Sequence, residues 1–252
     1  MIGLGLSLFL LSSCKGNLNS NKERVSETLS TQQAKNNGSE LDKKKKKESN
    51  EENKVSYPSG ELIKEAEAGN LSKVKLILID KNYNIDEVNG LGESALLVAT
   101  HNNYVEIAKV LINAGASVNL QDQIHDSPYL YAAAQGKTEI LKYILEHAHP
   151  NQEIYNRFGG NAIIPAAEKG HLDNVRLLLL DGKADINHQN NYGYTALIEA
   201  VALRDGSELY QEIVRVLLEG GADRSLRDRT GRSAEDYARE LGYKNILDIL
   251  RV

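Results

Sequence analysis

Several residue types that would point to a particular class of protein are scarce in this chain of 252 residues. There is one cysteine, which excludes an intramolecular disulfide bond. No apolar run reaches the roughly 18 residues that a membrane-spanning helix needs. The net charge is −5, without the strong basic excess that is typical of nucleic-acid-binding domains. The remaining composition, 41% hydrophobic and 26% charged, is that of a globular protein.

The sequence also lacks the motifs of common catalytic and metal sites. It contains no Gly-x-Ser-x-Gly elbow, no phosphate-binding loop and no His-Glu-x-x-His pair. His147 and His149 are two residues apart, whereas two metal ligands on one helix favour a spacing of three or four. The acidic residues are scattered over the chain and are predicted to lie on solvated faces. We therefore predict no enzyme activity, no metal, no cofactor and no small-molecule substrate.

The first 14 residues have the pattern of an export signal. Met1 to Leu11 is an apolar run without charged side chains, and the small residues Ser12 and Ser13 separate it from Cys14. The segment Leu11-Ser12-Ser13-Cys14 resembles the lipobox of bacterial lipoproteins. This resemblance implies that residues 1–13 are a lipoprotein signal peptide and that Cys14 carries a diacylglycerol lipid. The alternative is an unprocessed apolar N-terminus with a free or buried thiol.

Residues 14–56 are predicted to form a lipidated, disordered tether. Asn, Ser, Lys, Glu and Gln dominate the segment, so it buries too little apolar surface to offset the entropy of ordering. It holds ten basic and seven acidic residues, and five of the basic residues are the lysines at 43–47. The lysine run is typical of a solvated arm, and attraction to anionic lipid is the alternative.

The chain from 57 to 252 repeats a short frame, Asx-x-x-Gly-x-Ser/Thr/Asn, at nearly constant spacing. The last position of the frame falls at residues 94, 127, 161, 195 and 233, in steps of 33, 34, 34 and 38. Asx and Gly favour a tight turn, and the Ser, Thr or Asn is predicted to cap the helix that follows. An alanine-rich helix, a turn and a second helix with an apolar stripe complete each unit.

These units resemble ankyrin repeats. The matching segments include Ser127-Pro128-Tyr129-Leu130, Thr195-Ala196-Leu197-Ile198, Gly115-Ala116-Ser117-Val118-Asn119 and Gly221-Ala222-Asp223. The resemblance implies an all-α solenoid of stacked helix-turn-helix units with finger turns, about six units including degenerate caps. The units are predicted at 57–88, 89–121, 122–155, 156–189, 190–227 and 228–252. The fifth unit is longer around residues 203–209, where we expect a protruding loop or an extra helical turn.

A stacked array leaves its finger turns and first helices along one extended surface, which suits a protein or peptide partner. Ankyrin repeat arrays act mostly as protein-binding scaffolds, so the resemblance implies the same role for this array. Aromatic and Arg side chains are enriched in binding hot spots. We therefore expect partner contacts at Ile124, Arg157, Phe158, Tyr192, Tyr194, Tyr129 and Tyr131. The alternative is that these side chains pack one finger against the next.

Together the patterns predict a membrane-anchored protein-binding scaffold in the bacterial cell envelope, either periplasmic or exposed at the cell surface. One alternative is a structural lipoprotein that stabilises the envelope or cell wall. The other is a soluble intracellular scaffold, if the N-terminus is not processed. The repeat segment carries 20 basic and 28 acidic residues, so no nucleic-acid partner is expected.

Overall fold

The computed structural model describes residues 56–252. The predictions for the signal peptide, for Cys14 and for the lysine run at 43–47 lie outside the described residues. The described part contains twelve α-helices in two layers. The first layer holds α1 (Glu61–Glu67), α3 (Ala95–His101), α5 (Pro128–Ala134), α7 (Ile163–Glu168), α9 (Ala196–Ala202) and α11 (Ala234–Glu240). The second layer holds α2 (Leu71–Ile77), α4 (Val105–Asn113), α6 (Thr138–His147), α8 (Leu172–Asp181), α10 (Glu208–Glu219) and α12 (Lys244–Arg251).

Helices of the same layer pack side by side. Each helix contacts the corresponding helix of the next unit, and the two helices of one unit contact each other. Within residues 56–252 the only β-type pairing is an isolated bridge between Val88 and Ser94. No helix in this part of the chain is long and apolar enough to cross a bilayer. The predicted all-α solenoid is therefore confirmed.

Four of the first-layer helices begin directly after the hydroxyl residue of the frame. The hydroxyl oxygens of Ser94, Ser127 and Thr195 each accept a hydrogen bond at 3.2 Å from the N–H group three residues later. Ser233 does the same, and Asp236 completes a capping box with it. Each bond satisfies an N–H group that the start of a helix leaves without a backbone partner.

Asn161 is the exception, and its predicted role as an N-cap is wrong. Helix α7 starts at Ile163, and its cap position, Ala162, has no side-chain acceptor. Asn161 instead donates from Nδ2 to the carbonyl oxygen of Asp185 at 2.8 Å, which ties the start of α7 to the loop after α8. Pro165 is the third residue of α7, so its missing N–H falls in the first turn and removes no helical hydrogen bond.

The Asx residue of the frame organises a five-residue turn, which we call a finger. The fingers are residues 89–93, 122–126, 156–160, 190–194 and 228–232. In each, one side-chain oxygen of the leading Asn or Asp accepts from the N–H groups two and four residues later, at 2.7–3.0 Å. The backbone N–H of the same residue donates to the last carbonyl of the finger at 2.9–3.0 Å. The frame therefore gives every finger the same local shape.

Neighbouring fingers approach closely where the frame has glycine. Backbone N–H groups of Gln123, Asn191 and Arg229 donate to the carbonyl oxygens of Leu91, Phe158 and Tyr192, respectively, at 2.9–3.1 Å. A Cβ atom on Gly193 would lie 2.8 Å from the backbone nitrogen of Arg229, so this approach requires glycine. His125 occupies the glycine position of the second finger with a φ of 65°. Among the described residues the matching bond from Arg157 to Ile124 is missing.

The extra length of the fifth unit is divided between its second helix and the connection before it, which has five residues (203–207) against three in the other units. Helix α10 has 12 residues, against 9 in α4 and 10 in α6 and α8. The connection before α10 is held on both sides: Tyr243 donates from its hydroxyl to the carbonyl oxygen of Arg204 at 2.5 Å, and the Arg204 guanidinium pairs with Glu168. The insertion therefore adds two residues to the connection and two or three to the helix, so it is neither a loop alone nor a whole extra helical turn.

Candidate protein-binding surface

The apolar side chains predicted for partner contacts lie on consecutive fingers. Ile124, Phe158 and Tyr192 each occupy the third position of a finger and are 51%, 47% and 57% exposed. Leu91 holds the same position in the first finger and is also exposed. Because the fingers share one shape and stack, their third residues form a row, which we call the finger row.

Two further predicted residues flank the finger row. The guanidinium of Arg157 lies 5.1 Å from the centre of the Phe158 ring, a cation–π contact. The ring centres of Tyr194 and Tyr192 are 6.2 Å apart. The hydroxyl oxygens of Tyr194 and Tyr237 are 3.2 Å apart. Tyr194 is therefore half-buried and packs toward the next unit, as the finger-packing alternative expects.

The two predicted first-helix tyrosines lie elsewhere. Tyr129 is 1% exposed, and its hydroxyl donates to Oε1 of Gln152 at 3.0 Å. It belongs to the core, so the expectation that it extends the binding surface is wrong. Tyr131 is partly exposed, and the centres of its ring and the His101 ring are 4.2 Å apart.

A cavity of about 410 Å³ opens beside the finger row, between the fingers and the first-layer helices. We call it the central cavity. Its finger wall is formed by the fingers at 156–160 and 190–194, with Arg157, Phe158, Tyr192 and Tyr194. Its helix wall is formed by Ala134, Gln135, Ile164, Pro165, Glu168, Lys169, Glu199 and Leu203, from and just after α5, α7 and α9. This size falls in the range of roughly 300–1,000 Å³ that is usual for ligand sites.

Glu199 is the most buried carboxyl group of the central cavity. It is 8% exposed and accepts a hydrogen bond from Nδ2 of Asn190 at 2.7 Å. Among the described residues this is the only hydrogen bond that its side chain makes. Burial, and then the nearby charge of Glu168, raise the pKa of Glu199 to about 7. Part of the population of this carboxyl group is therefore protonated at neutral pH.

The other charged groups of the cavity interact with one another. Glu168 forms an ion pair with Arg204. Burial, and then the charge of Asp122, raise the pKa of Asp126, and the positive charges of Arg157 and Lys169 oppose this rise. Asp126 and Glu199 both form no ion pair among the described residues, but Arg157 and Lys169 lie near Asp126, whereas the one cation near Glu199, Arg204, is paired with Glu168.

The prediction that the acidic residues lie on solvated faces is wrong for Glu199. A signal was nevertheless present in the repeat frame. Position 199 comes four residues after the cap Thr195, and the same position in other units holds Val98, Tyr131, Pro165 and Tyr237. A carboxyl group at a position that is otherwise apolar or aromatic indicates a buried acid.

The histidines do not gather into a metal site. Between residues 56 and 252, no group of three or more His, Cys, Asp or Glu side chains is placed to hold a metal ion. His147 instead stacks on the ring of Tyr143, with the ring centres 3.9 Å apart.

Comparison with known proteins identifies the repeats. A family model described as ankyrin repeats (3 copies) matches residues 62–154 and 163–251. The chain is 36% identical over 185 residues to the ankyrin repeat protein YahD of Escherichia coli (strain K12), covering 73% of this chain and 91% of that one.

Two solved structures are also similar. The ankyrin repeat protein EF0377 is 57% identical, with a TM-score of 0.77 over 78% of this chain and 98% of that one. An ankyrin repeat domain from Acinetobacter baumannii AYE, ABAYE2397, is 42% identical, with a TM-score of 0.73 over 77% and 97% of the two chains. With the frame, the fingers and the two helix layers in agreement with these matches, the chain belongs to the ankyrin repeat family.

Proposed function

We propose that this chain is a protein-binding scaffold that holds a partner protein against the finger row and the central cavity. The observation that carries the proposal is the finger row itself: Ile124, Phe158 and Tyr192 are about half exposed on adjacent fingers. Apolar side chains that are exposed together mark interaction sites, whereas scattered ones do not. Ankyrin repeat proteins are generally binding scaffolds without catalytic activity, which supports binding as the function here.

We also propose that lipid on Cys14 anchors the scaffold in the bacterial cell envelope. The support is the lipobox-like segment Leu11-Ser12-Ser13-Cys14, together with the occurrence of cysteine at that position only. The segment from 15 to 56 would span a root-mean-square distance of roughly 35 Å as a flexible chain. That reach suffices to hold the repeat array clear of a membrane surface.

Crosslinking in intact cells, followed by mass spectrometry, tests the binding surface. The wild-type chain should yield one stoichiometric partner protein, and the double variant F158A/Y192A should lose it. Both side chains are about half exposed, so the variant should keep its helical circular dichroism and lose little of its melting temperature. Tyr194 is left unchanged because its hydroxyl group contacts Tyr237.

Leu180→Ala is the matched control for this experiment. Leu180 is an apolar side chain that is 85% exposed, but it lies on α8 in the second layer. Its removal should leave the partner bound. If both variants lose the partner protein to the same extent, or if neither loses it, the result would contradict the proposed surface. Retention on purified wall material without a stoichiometric protein partner would favour the structural role.

Mass spectrometry of the mature N-terminus tests the anchor. A lipid-modified Cys14 at the N-terminus is expected, and Cys14→Ser should move the chain from the membrane fraction to the soluble fraction. An intact Met1 peptide with an unmodified Cys14 would overturn the lipoprotein proposal and leave the soluble scaffold.

A further inference from the structure

Two acids of the central cavity, Asp126 and Glu199, form no ion pair among the described residues, and only Asp126 has basic groups nearby that are not already paired. Glu168 is paired with Arg204, and Arg157 and Lys169 act on Asp126. Glu199 is bonded only to the neutral amide of Asn190, and the nearby charges that act on it are those of Glu168 and Arg204, which already neutralise each other. A buried carboxylate is stabilised most when a cation reaches it. The cavity therefore favours a positively charged ligand group at Glu199.

The aromatic wall of the cavity favours the same kind of group. Tyr192 and Phe158 are about half exposed, and ring faces attract ammonium and guanidinium groups. The fingers already show this contact twice: Arg157 lies over Phe158 at 5.1 Å, and Arg232 lies over Tyr237 at 4.3 Å. The ring of Tyr192 has no such cation among the described residues.

The charge of the whole array acts in the same direction. Residues 57–252 carry 20 basic and 28 acidic side chains, a net charge of −8 with neutral histidines. A negative field attracts a basic segment of a partner and raises its rate of association, more strongly at low salt.

We propose that the central cavity binds a Lys or Arg side chain of the partner protein, with Glu199 as its counter-ion and the rings of Tyr192 and Tyr194 beside it. This inference rests on the proposed scaffold function and specifies the chemistry of the partner. The partner presents a basic residue to the cavity and apolar residues to the finger row.

Binding at Glu199 is linked to a proton. The pKa of Glu199 is about 7, so a bound cation must draw the carboxyl into its charged form and displace part of a proton at neutral pH. The charged groups that act on it are Glu168 of α7 and Arg204 after α9. The other titratable or charged side chains that line the cavity are Asp126, Arg157, Lys169, Tyr192 and Tyr194. From α11 the nearest ring partner of Tyr194 is Tyr237, whose hydroxyl donates to Asp228. Affinity for a cation is therefore expected to rise from pH 6 to pH 8.

Calorimetric titration of the whole chain with short peptides tests the proposal. The probes are acetylated and amidated pentapeptides of glycine with Arg, Lys, citrulline or Glu in the centre. Citrulline has the shape of arginine without its charge. The Arg and Lys peptides should bind, and the citrulline peptide should bind at least roughly tenfold more weakly. At pH 7, titrations in buffers of different ionisation enthalpy should show a net release of protons on binding.

The variant Glu199→Gln separates this proposal from a merely structural role. It should weaken binding of the Arg peptide by roughly tenfold and abolish the proton release, while the chain stays folded. The matched control, Glu219→Gln, removes one exposed carboxylate from the same unit and should change neither quantity.

Equal binding of the Arg and citrulline peptides, or no binding of either, would overturn the cation site. So would an unchanged affinity in Glu199→Gln. If crosslinking still captures a partner through Phe158 and Tyr192 in that case, the scaffold function stands and only the charge assignment fails. If the partner is also absent, the scaffold proposal fails with it.

Discussion

At the scale of single residues, Glu199 lowers the stability of the fold at neutral pH and is also a candidate binding residue. Its side chain is 8% exposed and has a pKa of about 7, against an ordinary value of 4.5. A carboxyl group with a raised pKa in the folded state contributes its full stability below pH 4.5 and loses it as the pH rises through 7. A natural sequence retains such a group where it serves something other than stability.

We therefore expect Glu199→Gln to stabilise the protein in a pH-dependent way. Glutamine keeps an acceptor for Asn190 but never ionises, so the variant avoids the loss above pH 4.5. The free energy of unfolding should be equal for variant and wild type near pH 4 and higher for the variant at pH 8, by up to about 3 kcal/mol. Urea denaturation at the two pH values measures it. A constant difference between the proteins would show that Glu199 keeps an ordinary pKa.

The finger glycines provide a second test at this scale. Gly193 and Gly231 have nearly equal φ angles, 79° and 82°. A Cβ atom added to Gly193 would lie 2.8 Å from the backbone nitrogen of Arg229, whereas a Cβ atom added to Gly231 would have no atom within 4 Å. Gly231→Ala should cost about 1 kcal/mol from backbone strain alone. Gly193→Ala should cost at least about 1 kcal/mol more, because the fingers must separate and the bond from Arg229 to Tyr192 weakens. Thermal denaturation compares the stabilities of the two variants. An equal loss of stability in both would contradict the close approach of neighbouring fingers at Gly193.

At the scale of helices, Asn174 links the two layers. It lies on α8 with 0% exposure, and its Nδ2 donates to the carbonyl oxygens of Ala132 and Ala133 at 3.0 Å each. Those carbonyls belong to the last turn of α5, and the carbonyl oxygen of Ala132 also accepts from the backbone N–H of Lys137 at 3.0 Å. One buried amide therefore fixes the end of a first-layer helix against the second layer of the next unit.

Asn174→Ala should lower the free energy of unfolding by about 1–3 kcal/mol, because the two carbonyls lose a buried donor. Leu180→Ala on the same helix removes more atoms, yet it should change the stability by less than about 0.5 kcal/mol, since Leu180 is 85% exposed. Chemical denaturation of both variants gives the comparison. A larger loss of stability in Leu180→Ala than in Asn174→Ala would mean that contacts other than the Asn174 amide fix α8.

At the scale of the whole molecule, stability arises between units. The helices have 6 to 12 residues, and isolated helices of such length are marginal in water. The apolar face of each helix is covered by the corresponding helices of the neighbouring units. Neighbour contacts therefore provide most of the stability of every unit.

A peptide of residues 156–189 should consequently lack helical structure on its own. The chain that contains all units should unfold in one cooperative transition, because each unit depends on its neighbours. Far-ultraviolet circular dichroism during thermal melting compares the two. A cooperative transition in the isolated unit would show that stacking is not the source of its stability.

The sequence alone determined the repeat spacing, the fingers and the helix caps, because these depend on local chemistry. An Asn or Asp that bonds N–H groups two and four residues away needs no distant partner, nor does a Ser or Thr at a helix start. The exposed positions of Ile124, Phe158 and Tyr192 also followed from their place within the finger.

Only the tertiary structure decided which neighbours the buried polar and aromatic residues meet. Tyr129 lies in the core, Asn161 bonds the next loop in place of its own helix, and Glu199 lines a cavity formed by three units. Each outcome depends on neighbours that are 20 or more residues away in the chain, for example Asp185 for Asn161 and Gln152 for Tyr129. Burial and long-range pairing are set by how units stack, and a local pattern carries no information on which side chain will meet which neighbour across that interface.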